Sequence, residues 1–181
     1  MNITVYLGSE FGYRPIFAKK ARELGRWIGS NGYRLIYGGG NVGLMGILAD
    51  SVMESGGIVT GVIPDFFIES EQQHVGITEL EIVSSMSERK ARMLELGDFF
   101  IAFPGGIGTL EEIAEIMTRK KLNLGPEEYV FYNIDGYYDD LSHMLDTMHK
   151  EGFLSEYARN QIRFVSDLKE LEMLILHKTF I

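Results

Sequence analysis

The chain has 181 residues, 45% of them hydrophobic, which fits one domain of the usual ~100–200 residues with a core worth burying. Acidic residues outnumber basic ones 26 to 17, for a formal charge of −9. That balance argues against a nucleic-acid partner, because binding a phosphate backbone needs a net positive footprint, although a local basic cluster could still hold one small phosphorylated ligand. Cysteine is absent, which excludes disulfides, a thiol nucleophile and cysteine-ligated metal.

The opening Met-Asn-Ile-Thr-Val-Tyr-Leu-Gly has no basic region and is apolar only over a strand's length, so it does not read as a signal peptide. No apolar run approaches the ~18 residues of a membrane span. The expected location is the cytoplasm, with no membrane association. In chain order, the patterning predicts strand Ile3–Gly8, helix Pro15–Ser30, strand Arg34–Gly39, helix Gly43–Ser55 and strand Ile58–Ile63. After the irregular Pro64–Gly76 come strand Leu80–Ser84, helix Met86–Gly97, strand Phe99–Phe103 and helix Thr109–Leu122. Strand Tyr129–Ile134, helix Tyr137–Glu151, strand Arg163–Val165 and a shorter helix near Asp167–Leu176 complete the chain. Such alternation implies βαβ units. The runs FFIAF and IVTGVI are largely apolar rather than alternating, as strands covered on both faces are. The expected fold is therefore α/β: a Rossmann-like, doubly wound, mainly parallel sheet of about seven strands with helices on both faces, one domain over residues 1–181. The polar segment Pro64–Gly76 is either a flap beside a site or a solvent-exposed loop.

In an open parallel sheet, ligands bind beyond the carboxyl ends of the strands. Three turns at such ends are rich in small residues: Gly8-Ser9-Glu10-Phe11-Gly12, Gly38–Gly46 and Pro104-Gly105-Gly106-Ile107-Gly108-Thr109. Glycine lets backbone approach a phosphate, and the following helix offers free N–H groups with a favourable dipole. Tight strand-to-helix turns alone would account for one such segment, but three favour a nucleotide cradle. No Gly-Lys-Ser or Gly-Lys-Thr follows any of them, and the first βα turn lacks Gly-x-Gly-x-x-Gly, so a mononucleotide suits better than ATP or NAD.

Ser85 and Glu88 have capping-box spacing, which starts a helix there. Arg89, Lys90 and Arg92 then oppose the helix dipole, which points either to an anion nearby or to a solvated basic face. Thr109 and Glu112 have the same capping spacing, a structural reading in itself. Glu112 also stands at the mouth of the third glycine turn. A carboxylate beside a phosphate cradle suits a reaction that develops positive charge between them, as cleavage of an N-glycosidic bond does. His74, His143, His149 and His177 lack metal-ligand spacing, so no metal is expected. Ser9 reads as a hydrogen-bonding ligand residue, because no Gly-x-Ser-x-Gly elbow surrounds it. Met45, Met86, Met93 and Trp27 read as core or pocket wall, and Asp135-Gly136 as a turn.

Pro104-Gly105-Gly106-Ile107-Gly108-Thr109-Leu110-Glu111-Glu112 resembles the Pro-Gly-Gly-x-Gly-Thr-x-x-Glu motif of the Lonely Guy (LOG) family. VYLGS, YGGGNVGLMG, SMSERKARM, YNIDGYYDDL and EGFL agree in order, so the resemblance spans nearly the whole chain. Members of that family are cytokinin riboside 5′-monophosphate phosphoribohydrolases, and bacterial relatives carry the label "possible lysine decarboxylase". The resemblance implies Arg89 and Glu112 as the catalytic pair. It implies Lys90, Gly105, Gly106, Gly108 and Thr109 as holders of phosphate and ribose, and Thr118 as a substrate contact. Ser9, Gly39, Gly40, Gly43, Met45, Met86 and Ile107 join them as candidate binding residues, and an acidic loop residue of the family corresponds to Glu71 or Glu69. A homodimer with active sites near its interface is implied too. Ser87, and the Met117-Thr118-Arg119-Lys120 run that lacks a frequent Thr-Trp pair, depart from the family pattern and bear on base preference. A pyridoxal phosphate decarboxylase would need a Schiff-base lysine and a partner for the pyridine nitrogen, and nothing in the sequence supplies that pair. The expected function is hydrolysis of a cytokinin ribotide or AMP to free base and ribose 5-phosphate, without metal or cofactor. The alternative is a nucleotide-binding or carrier module that does not cleave its ligand.

Overall fold

Strand β1 (Asn2–Tyr6) lies in the middle of the sheet although it comes first in the chain. The computed structural model describes residues 1–68, 73–125 and 128–179. Around β1 stand β2 (Arg34–Tyr37), β3 (Ile58–Pro64), β4 (Glu79–Val83), β5 (Phe99–Ala102), β6 (Tyr129–Tyr132) and β7 (Arg163–Val165), in the order β4-β3-β2-β1-β5-β6-β7. Every neighbouring pair is parallel. β1 pairs Ile3 with Leu35 on one side and Ile3 with Phe99 on the other.

The two-residue side-chain period of a strand sorts residues between the faces. Ile3, Val5, Phe99, Ile101, Val130 and Tyr132 pack with α1 (Pro15–Ser30), α2 (Gly43–Glu54) and α7 (Leu168–Thr179). Tyr6, Phe100, Ala102, Tyr129 and Phe131 face the opposite layer, of α3 (Met86–Leu96), α4 (Ile107–Lys121) and α5 (Asp139–Lys150). Both faces are therefore covered, which explains the unbroken apolar strands. A five-residue helix, α6 (Glu156–Asn160), was not expected from the sequence; Ser155 caps it by accepting from the Ala158 amide at 3.2 Å.

The chain runs outward from β1 to β4, then crosses back through α3 to β5 on the other side of β1. The crevice beyond β1 and β5 is thus the switch point at which ligands of such sheets bind. The described part of the connection from β3 to β4 holds a 3₁₀ turn, Asp65–Phe67. Its far end is tied down, for Gln73 bridges to Gly40, the His74 amide donates to the Gly39 carbonyl at 3.0 Å, and the His74 ring bonds Asp50 at 2.9 Å. Glu69 and Glu71 lie outside the described residues. No helix among the described residues is long and apolar enough to cross a membrane.

Candidate active site

Helix α4 starts two residues earlier than the sequence suggests. Gly106, not Thr109, is its N-cap, and no side chain caps it. The Thr109–Glu112 capping box is therefore not formed, and Thr109 falls in the first turn, buried. An α-helix leaves its first N–H groups without intrahelical acceptors and carries a partial positive charge there. A pocket of about 270 Å³ opens at this end, lined by Leu7, Gly8, Ser9, Met45, Met86, Arg89, Gly106, Ile107, Gly108, Thr109, Glu111 and Glu112. A Cβ at Gly106 or Gly108 would meet nothing within 4 Å. The protein's own packing does not require these glycines, and their bare backbone faces open space. Gly105 differs, since a Cβ there would collide with the Thr109 hydroxyl.

Glu112 is half-buried and stands one turn beyond Thr109, on the same face of α4. Across the pocket lies Arg89, 6% exposed. Its Nε donates to the Val62 carbonyl at 3.0 Å and its Nη2 to the Gly38 carbonyl at 2.9 Å. The guanidinium fork thereby ties the ends of β2 and β3 together, and a Cβ at Gly38 would displace Nη2 from its place there. Tyr6, 3% exposed, is near enough to feel both charges. Burial first, then the Glu112 and Glu115 carboxylates, push its phenol above the ordinary value of 10, while Arg89 pulls the other way. Tyr6 is thus a neutral hydroxyl near a charged site. Sequence reasoning missed it, because its strand position reads only as core.

The cations of α3 do not act together. Lys90 pairs with Glu111, and with Glu115 at 3.3 Å. The Glu111 hydrogen bond, against the pull of desolvation, holds its ammonium above the usual lysine range. Arg92 bonds Glu81 at 2.6 Å and Glu95 at 2.8 Å. The opposed dipole is therefore answered by protein carboxylates at Lys90 and Arg92, and of the three cations the pocket takes in Arg89. Lys90 is correspondingly not among its lining residues. The Ser85–Glu88 cap does form: the Glu88 amide donates to Ser85 Oγ at 3.2 Å, and Glu88 reaches back to the Ser84 amide at 2.8 Å.

Of the other expected binding residues, Ser9, Met45, Met86, Gly106, Ile107, Gly108 and Thr109 meet in the pocket. Gly105 lies next door, in a compartment of about 220 Å³ shared with Phe11, Phe17, Leu44 and Tyr137. Gly39 has φ +79° and packs on Ile63, and Gly40 bridges to Gln73, so both serve the β3–β4 connection. Gly43, at φ +59°, butts against the Ser9 backbone, where a Cβ would strike the carbonyl. It braces one glycine turn on another. Gly43→Ala is expected to cost roughly 3 kcal/mol from left-handed backbone and overlap together, seen as a melting temperature lower by roughly 6–12 °C. Thr118 lies elsewhere: it is exposed, donates to the Ala114 carbonyl at 2.9 Å, and lines an apolar groove between α4 and the α5–α6 region. Nine residues beyond Thr109, it is about 13 Å further along the helix axis.

Fold and pocket together define a doubly wound, all-parallel α/β protein with a charged crevice at its switch point. Residues 45–175 match the family described as "Possible lysine decarboxylase". The chain is 42% identical over 160 residues to a rice (Oryza sativa subsp. japonica) protein named probable cytokinin riboside 5′-monophosphate phosphoribohydrolase LOGL1, covering 88% of this chain and 72% of that one. It is 41% identical over 169 residues to the cytokinin riboside 5′-monophosphate phosphoribohydrolase of Rhodococcoides fascians, covering 93% and 85%. The chain belongs to this LOG, or possible lysine decarboxylase, family. Among solved structures, the molybdenum cofactor binding protein of Rippkaea orientalis superposes with a TM-score of 0.72 at 22% identity, over 98% of this chain and 96% of that one. At that identity the likeness is one of fold.

Proposed function

We propose that the chain hydrolyses the bond between base and ribose of a nucleoside 5′-monophosphate, the cytokinin ribotides and AMP being the substrates to try first. The observation that carries this reading is the meeting of Glu112, Arg89 and the uncapped start of α4 in one pocket. A 5′-phosphate suits the helix start, where bare glycine backbone and the dipole favour an anion. The sugar then extends along α4 toward Glu112. As the bond to the base breaks, its electron pair leaves with the base nitrogen and positive charge grows on the ribose carbon. Glu112 stabilises that charge or orients the attacking water, whose hydroxyl joins the sugar carbon while its proton goes to the base. Arg89, held by two carbonyls, gives a fixed cationic wall that positions the substrate. The curated relatives' names support the same chemistry.

The test is to incubate the protein with AMP and with isopentenyladenosine 5′-monophosphate, alongside the matching nucleosides, and to separate the products by chromatography. Free base and ribose 5-phosphate should appear from the nucleotides. Release from the nucleosides alone would overturn the phosphate cradle.

The homodimer belongs to this proposal. The apolar groove that contains Thr118 also exposes two large aromatic side chains, Phe153 at 80% and Tyr157 at 70%, which a second copy would cover. A second copy seated there would cover Thr118, the threonine that the family resemblance makes a substrate contact. Light scattering should give about twice the chain's 20.5 kDa, and Phe153→Glu should give the single mass. A wild-type chain that runs as a monomer at micromolar concentration would rule the interface out.

A further inference from the structure

Three consecutive carbonyls of the glycine turn are each held by a different donor. Tyr138 Oη donates to the Phe103 carbonyl at 2.8 Å, the Gly8 amide to the Pro104 carbonyl at 3.2 Å, and Tyr137 Oη to the Gly105 carbonyl at 2.6 Å. In a trans peptide the carbonyl and the next N–H point opposite ways. Each bond therefore also fixes the direction of the following amide, and the last of them fixes the amide of Gly106, the cap of α4. Glycine-rich backbone has no side chains of its own to hold such a direction.

The two tyrosines differ in what surrounds them. Tyr138 is 3% exposed and belongs to the core, stacked edge-on against Phe131. Tyr137 is 43% exposed, with its ring edge-on to Phe17 at 5.6 Å, and it walls the compartment beside Gly105 and Gly106. A hydrogen bond this open to water adds little to folding. The turn that presents Tyr137 is nonetheless well fixed: Asp135 adopts φ 54° and pairs with Arg14, and the Tyr138 amide donates to Asn133 at 2.6 Å. That turn sets an exposed phenol on a backbone carbonyl at the edge of the crevice.

We propose that Tyr137 is a positioning residue: its hydroxyl orients the amides at the start of α4 for the phosphate of the ligand. The proposal rests on the phosphoribosyl reading of the pocket. It concerns affinity for the phosphate end and not bond cleavage, since Tyr137 does not line the pocket that contains Glu112 and Arg89.

The test compares Tyr137→Phe, which keeps the ring on Phe17, with Tyr138→Phe and wild type. Ribose 5-phosphate binding is measured by calorimetry, amide exchange over residues 104–109 by mass spectrometry, and KM and kcat where turnover is found. Tyr137→Phe should melt with wild type, exchange faster in that segment, and bind ribose 5-phosphate roughly 3–10-fold more weakly, with KM raised and kcat little changed. Tyr138→Phe should lower the melting temperature, as loss of a core bond does. Unchanged exchange and unchanged affinity in Tyr137→Phe would overturn the proposal, as would a kcat loss at constant KM. If wild type binds no ribose 5-phosphate but Tyr137→Phe still loosens the segment, the anchoring role stands and the phosphoribosyl reading fails.

Discussion

Replacing Glu112 with Gln is expected to lower kcat on a nucleoside 5′-monophosphate about a thousandfold while the nucleotide still binds. Gln keeps the size and most of the hydrogen bonding of the carboxylate and removes the charge. A unit negative charge about 4 Å from a developing cation contributes roughly 4 kcal/mol at an effective dielectric near 20, about three powers of ten in rate. The ground state gains nothing from that charge. A carboxylate close to a phosphate repels it, so Glu112→Gln should hold the nucleotide as tightly as wild type or more so. Stopped turnover with retained affinity is the signature of an interaction made in the transition state. Base release under single-turnover conditions, together with calorimetric binding, measures both. A variant that turns over within about tenfold of wild type would remove Glu112 from the chemistry. A wild type that binds nucleotide without cleaving it would favour the carrier reading.

The second large effect is expected at Arg89, where Arg89→Lys should fail although it keeps the charge. The guanidinium serves two carbonyls, Val62 and Gly38, from two nitrogens of a rigid fork, and a single ammonium on a flexible stem cannot reproduce that geometry. At 6% exposure, a carbonyl left without its donor costs about 1–3 kcal/mol. The melting temperature should fall by roughly 2–12 °C. Activity should fall more than the folding loss explains, roughly a hundredfold or more in kcat/KM at a temperature where the variant is folded, because the cationic wall of the pocket shifts. Circular dichroism melts and steady-state kinetics separate the two effects. Wild-type kinetics in a folded Arg89→Lys would mean that charge alone suffices there.

Much of this architecture was legible in the sequence because the signals were local. The seven strands and the main helices followed from apolar runs and their periods, and Ser85 with Glu88 marked the start of α3 as the hydrogen bonds bear out. The start of α4 was misplaced for a related reason. Thr109 and Glu112 have the right spacing, but Gly106 can end the strand turn earlier, and a buried Thr109 packs under Gly105 instead of capping. Side-chain pairing between distant elements was not legible. That Lys90 would be engaged by Glu111 and Glu115, or Arg92 by Glu81, depends on how α3 lies against α4 and β4. The role of Gly38 was hidden in a run of three glycines, and becomes visible through the guanidinium that occupies its side-chain space. The tyrosines after Asp135-Gly136 read as the start of the helix expected over Tyr137–Glu151. Only the adjacency of β5 and β6 shows that they reach back to the glycine segment.

The order of strands also governs when the pocket can come into being. β1 leaves the ribosome well before its neighbour β5, which follows more than ninety residues later, pairing Ile3 with Phe99. Until that late strand slots in, the two walls of the crevice belong to unconnected stretches of a nascent polypeptide, and long-range parallel pairing of this kind is slow. The crevice therefore doubles as a certificate of completed topology: a chain that retains its helices but has not inserted β5 does not yet possess it.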